Sequence, residues 1–152
     1  SQRELVWAPY DVGLAQRVDL RMHFLTSAGI ALASQQGISI AAGEFKELLD
    51  SGNGGSGFSF VDLAADRAGI QFVTLAMAGE DEARQLQEQL AQVTSEYSFF
   101  PDISGLLEGM SDAQFRAQYG DVESARYREE VSRIDERIAR LPIYAGRSLG
   151  SE

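Results

Sequence analysis

The 152-residue sequence contains no cysteine, only one lysine, one histidine and three prolines. Without cysteine the chain has no disulfides, no thiolate metal sites and no thiol catalysis, and its redox compartment stays undecided. It also lacks the roughly 18 to 20 uninterrupted apolar residues that a membrane-spanning helix needs. The sequence therefore predicts no transmembrane segment in this chain.

Basic residues are also scarce. The sequence has 13 Lys and Arg against 23 Asp and Glu, which gives a formal net charge of -10 at pH 7. Such an acidic chain repels phosphate groups, so we expect neither nucleic acid nor an anionic membrane surface as a partner. The sequence begins at Ser1 without methionine, which is compatible with the loss of a signal or lipid-attachment segment.

Length and composition suit one globular domain, with 44% hydrophobic and 24% charged residues. No stretch alternates as a half-buried strand does, whereas apolar residues often recur at spacings of three and four. We predict an all-α fold over residues 1–152, a single-domain irregular bundle of five or six helices. Residues 1–13 are expected to form an irregular arm, and 143–152 a ragged tail.

The predicted first helix, residues 14–35, is apolar nearly all round, which is typical of a buried central helix. Further helices are predicted at 41–49, 60–77, 79–97, 112–118 and 123–140. The loop that carries Phe99 and Phe100 is expected to cap a small core, with a partner or ligand surface as the alternative.

Acidic residues and the only lysine follow the only histidine within two short predicted helices. Because Glu44, Glu47 and Asp50 recur every three residues, they share one helix face. Asp62 and Asp66 are one turn apart and face away from the solvent side of their own helix. If the glycine-rich segment 51–57 folds the two helices into a hairpin, a polar cluster forms from His23, Glu44, Lys46, Glu47, Asp50, Asp62 and Asp66.

Three interpretations of this cluster stay open. In the first, Asp62 only caps its helix and Lys46 pairs with Asp50 on the surface. In the second, the residues form a buried polar network. In the third, they form a catalytic or metal site, because carboxylates with one imidazole suit a divalent ion inside a helix bundle. The candidate metal ligands are His23, Glu47, Asp62 and Asp66, and no other cofactor is predicted.

His23 has two interpretations of its own. Asp19 precedes it by one helical turn, and a carboxylate on one ring nitrogen would orient the imidazole as a general base. The other interpretation is a hydrogen-bonded core histidine, which is the more common role of a lone histidine on an apolar helix.

Residues 23–69 contain a series of short motifs: His23-Phe24 with Ser27-Ala28-Gly29, then Lys46-Glu47 with Asp50, a glycine-rich gap, and Asp62-Leu63-Ala64-Ala65-Asp66-Arg67-Ala68-Gly69. In these motifs the chain resembles the YfiM-like family of small bacterial envelope lipoproteins, for which no activity is assigned. The resemblance implies an envelope location, in an envelope-protein or lipid-anchored context. It also implies that His23, Lys46, Glu47, Asp50, Asp62 and Asp66 act together.

The favoured interpretation is a helical protein of the bacterial periplasm or envelope with a structural or interaction role, built around this network. Enzymatic activity is left open, as a metal-assisted or acid/base hydrolase of an envelope substrate, with Glu44 or Glu47 as acid/base. A second alternative is a binding module for an apolar ligand or partner, with an exposed groove beside Phe99 and Phe100. If the protein is not in the envelope, the cytoplasm is the remaining location, and the protein partner is unknown.

Overall fold

The computed structural model describes residues 12–33 and 57–145. These ranges are mostly α-helical and contain isolated β-bridges but no β-strand, which confirms the predicted all-α class. Two 3-10 turns lie at Glu96–Ser98 and Pro142–Tyr144. The α-helices are α1 Val18–Ala33, α2 Phe60–Ala76, α3 Glu80–Leu90, α4 Asp112–Tyr119 and α5 Ala125–Ala139.

Helix α1 begins four residues later than predicted because a tight turn precedes it. Ala15 and Gln16 have φ angles of 48° and 61°, in the left-handed region that residues other than glycine rarely adopt. Leu14 and Arg17 close the turn with two reciprocal backbone hydrogen bonds of 3.0 and 2.9 Å. The turn thereby places Arg17 directly before the first residue of α1.

Helix α2 is the central helix of the described fold. Its N-cap is the predicted one, since the Ser59 Oγ accepts a hydrogen bond of 3.0 Å from the Asp62 backbone N–H. Arg67 on its outer side forms a bidentate pair with Asp135 of α5. Its buried side chains include Phe60, Val61, Leu63, Ala64, Ala65, Ala68 and Leu75.

Helix α1 packs along α2 but is not buried all round, so the predicted central burial is wrong for this helix. Only Leu20, Phe24 and Ser27 are buried. The helix presses one face against α2 and leaves large apolar side chains 45–59% exposed on another. The composition of α1 could not reveal which face packs. The exposed side chains are Val18, Met22, Leu25 and Leu32.

The loop after α3 closes the core with aromatic rings, as predicted. Phe100 is fully buried, and its ring centroid lies 6.3 Å from that of Phe24. Phe99 is partly buried and packs edge-on against both Phe24 and Phe72. Phe100 therefore belongs to the core, and Phe99 packs against the core as a partly buried ring.

Two boundary predictions need correction. The helix predicted for 79–97 ends at Leu90, and Ser95 instead caps a separate 3-10 turn through the Tyr97 N–H. The tail predicted from residue 143 begins with Ile143 and Tyr144, which are both 1% exposed and complete the core. The arm residues 1–11 and the helix predicted at 41–49 lie outside the described ranges.

Candidate functional site

Four polar side chains meet where α1 crosses α2, and we call this group the polar joint. His23 and Ser27 come from α1, while Asp62 and Asp66 come from α2. Each pair is separated by four residues, so its two side chains lie on the same face of their helix. The structure thus brings His23, Asp62 and Asp66 together.

Asp66 is the buried centre of the polar joint, with an exposed fraction of 2%. Its Oδ1 accepts a hydrogen bond of 2.7 Å from the Ser27 hydroxyl. The same oxygen lies 3.1 Å from the Nδ1 of His23. A buried carboxylate is costly unless it is paired, and these two contacts supply the pairing. One oxygen of α2 therefore holds two successive turns of α1.

His23 is poised to carry a proton. The hydrogen bond to Asp66 is the largest influence and raises the pKa of the imidazole above its ordinary value of 6.5. Partial burial acts in the opposite direction, and the charges of Asp66, Asp62 and Asp19 add to the rise. Asp66 also fixes the ring, because the nitrogen that faces a carboxylate keeps its proton.

Asp62 lies on the other side of the same ring. Its Oδ2 is 3.7 Å from the Nε2 of His23, an ion-pair distance rather than a hydrogen bond. Its Oδ1 is buried and has no hydrogen-bond partner among the described residues. Burial raises the pKa of Asp62, and the attraction of His23 counteracts this only in part. Asp62 is therefore the less stabilised of the two acids that flank the imidazole.

The acid that orients His23 is Asp66, and not Asp19 as in one of the two interpretations of this histidine. The Asp19 carboxylate instead forms an ion pair with Arg17, with 2.6 Å between Asp19 Oδ2 and a guanidinium nitrogen. A second guanidinium nitrogen of Arg17 lies 2.7 Å from Glu108 Oε2. This pairing lowers the pKa of Asp19. The planar fork of Arg17 offers two donors to one carboxylate, and the His23 ring faces α2. The predicted Asp19–His23 pair is thus replaced by Asp66–His23.

Ser27 is a member of the polar joint that the predicted cluster omitted. It follows His23 by one helical turn, and its side chain is buried against Asp66. Its spacing of four residues from His23 on an otherwise apolar helix was the available signal. A serine at such a position gains a partner when a buried acid faces it.

The remaining cluster candidates, Glu44, Lys46, Glu47 and Asp50, lie outside the described ranges. Within residues 12–33 and 57–145, no group of three or more His, Asp or Glu side chains is arranged to hold a metal ion. The predicted ligand set depends on Glu47 and so stays a prediction. Within the same part of the chain, none of the helices combines the length and apolar content needed to span a bilayer.

Comparison of the chain with protein-family models, curated proteins and solved structures finds no match. The chemistry and position of the polar joint therefore carry the functional inference.

Proposed function

We propose that this protein is a helical protein of the bacterial envelope or periplasm with a structural or interaction role, in which the polar joint fastens α1 to α2. The observation that carries the structural role is the buried Asp66 Oδ1, which engages both Ser27 and His23. A joint of this kind fixes the relative position of two helices, because its buried acid stays paired only while they remain packed. The envelope location is supported by the resemblance described above.

The close packing of the two helices supports the same role. Gly69 of α2 faces the backbone of Phe24, and a Cβ at residue 69 would collide with the Phe24 carbonyl oxygen. The helices therefore approach each other at the level of their backbones, beside the buried hydroxyl of Ser27. Such an interface suits a fixed contact better than an opening cleft.

Replacing Asp66 by asparagine tests the structural role. The variant keeps the shape of the side chain but removes the charge and one acceptor oxygen, so we expect the free energy of unfolding to fall by about 2 kcal/mol. Urea denaturation of the whole chain followed by circular dichroism measures the change. Asp81→Asn is the matched control, because the Asp81 side chain is 85% exposed. Equal stability of the two variants would contradict a structural joint.

The proposed location needs a separate test. The complete natural gene product, with a C-terminal epitope tag, is expressed in a bacterial host and separated into cytosolic, periplasmic and membrane fractions. We expect the protein to follow periplasmic or membrane markers. Recovery with the cytosolic marker alone would contradict the envelope location without affecting the structural role.

A second candidate function is acid/base hydrolysis of an envelope substrate. The observation that favours it is the Asp66–His23 pair, in which an acid orients an imidazole whose side chain is still 35% exposed. Purified peptidoglycan sacculi are the probe, and release of soluble fragments is the measurement. This candidate requires release by the wild-type protein and its loss in His23→Gln. Release no greater than that by His23→Gln would exclude this activity on sacculi.

A further inference from the structure

The imidazole of His23 lies between two carboxylates on consecutive turns of α2. Its Nδ1 is 3.1 Å from Asp66 Oδ1, and its Nε2 is 3.7 Å from Asp62 Oδ2. A neutral imidazole has one N–H and can serve only one of these acids, whereas an imidazolium presents an N–H to each. The electrostatic attraction between His23 and Asp62 across the polar joint therefore depends on the protonation of a single ring.

We propose that the polar joint is a pH-sensitive latch, in which protonated His23 bridges Asp62 and Asp66 and loss of that proton loosens α1 from α2. This inference rests on the proposed function, because it assumes that the joint fastens the two helices. In the neutral ring Nδ1 keeps its proton for Asp66, and the lone pair of Nε2 faces Asp62. Two acceptors then oppose each other at a place where Asp62 Oδ1 already has no hydrogen-bond partner among the described residues.

The charged surroundings of the ring favour the closed form at low pH. Among the described residues, Asp62 and Asp66 from α2 and Asp19 from its own helix act on His23. Arg17 also acts on Asp62, and its guanidinium is already bound to Asp19 and Glu108. The negative field around the ring therefore attracts a proton to the imidazole.

The direction of the pH dependence follows from the two shifted groups. The pKa of His23 is raised above 6.5, so its contribution to stability is complete below 6.5 and is lost as pH rises through the raised value. The pKa of Asp62 is raised above 3.8, so the cost of its charge also appears as pH rises. The fold therefore gains stability from both groups on the acid side, and the His23 bridge itself is lost as pH rises through the raised pKa of the imidazole.

Titration of His23 by NMR is the first test, on the untagged chain. His23 is the only histidine, so one imidazole signal reports the proton directly. We expect its pKa to exceed 6.5 in the wild type and to fall in both Asp62→Asn and Asp66→Asn. Asp81→Asn should leave it unchanged. A wild-type pKa at or below 6.5, or a pKa that neither joint variant lowers, overturns the latch.

The second test measures the consequence for the helices. The wild type should melt above His23→Gln near pH 6, and we expect this difference to shrink by about 3 °C by pH 9. Amide protection at Leu20 and Phe24, corrected for intrinsic exchange, should fall over the same range while Ile134 of α5 stays protected. A melting difference that does not change with pH overturns the latch.

The two proposals fail in different ways. If Asp66→Asn lowers stability equally at every pH, the joint is structural and the latch is wrong. If Asp66→Asn matches Asp81→Asn at every pH, the structural role fails as well.

Discussion

At the scale of single residues, a polar atom without a partner marks a place where the sequence is not optimal for stability. The hydroxyl of Tyr144 is buried and has no hydrogen-bond partner among the described residues. Burial raises the pKa of this phenol, because it disfavours the charged phenolate. The ring itself fills the core beside Ile143, so the cost lies in one oxygen atom.

Removal of that oxygen should therefore stabilise the protein. We expect Tyr144→Phe to raise the free energy of unfolding by about 1 kcal/mol, since a buried hydroxyl without a partner carries a desolvation cost. Urea denaturation of the whole chain measures the change. Tyr97→Phe should leave stability unchanged, because Tyr97 is 60% exposed. A loss of stability in Tyr144→Phe would show that the hydroxyl has a partner after all.

At the scale of helices, α1 and α2 approach each other closely because Gly69 has no side chain. Gly69 is buried in the middle of α2, where glycine costs about 1 kcal/mol relative to alanine. Helix propensity alone would thus favour alanine at this position. The Phe24 backbone occupies the space that the alanine methyl group would need.

Two glycine variants separate helix propensity from packing. We expect Gly69→Ala to lower the free energy of unfolding by about 1 to 2 kcal/mol, because the strain of overpacking exceeds the propensity gain. Gly29→Ala on α1 should instead stabilise by up to about 1 kcal/mol, since a Cβ there meets no atom of the neighbouring described residues within 4 Å. Thermal melting of both variants provides the comparison. A stabilised Gly69→Ala would refute the close helix approach.

Local signals made α2 and part of the polar joint predictable from the sequence. Ser59 can be recognised as the N-cap from the residues of its own helix alone. The helical period likewise shows that Asp62 and Asp66 point away from the solvent side of α2. The start of α1 was not predictable, because Glu96, 81 residues away, accepts the Ala15 N–H of the preceding turn at 3.1 Å. The predicted cluster already placed His23 with Asp66, but the sequence could not decide between Asp66 and Asp19 as the acid that orients the ring. Asp19 is near in sequence, whereas Asp66 is near in space.

At the scale of the whole molecule, the response to divalent metal ions distinguishes the proposed role from the metal-assisted alternative. A bound ion stabilises the folded state by mass action, by about 2.7 kcal/mol at 100 times its dissociation constant. The structural role predicts no rise in melting temperature with millimolar Mg²⁺ or micromolar Zn²⁺. A rise that is lost in both Asp62→Asn and His23→Gln would instead support a metal site at the polar joint.

The contact between His23 and Asp66 also joins parts of the chain that are 43 residues apart. Closing a chain of that length costs conformational entropy, but the cost grows only with the logarithm of the number of residues. Doubling the intervening length would weaken the closure by only about 0.6 kcal/mol. By this scaling, the free energy of the contact between His23 and Asp66 depends only weakly on the number of residues that separate them.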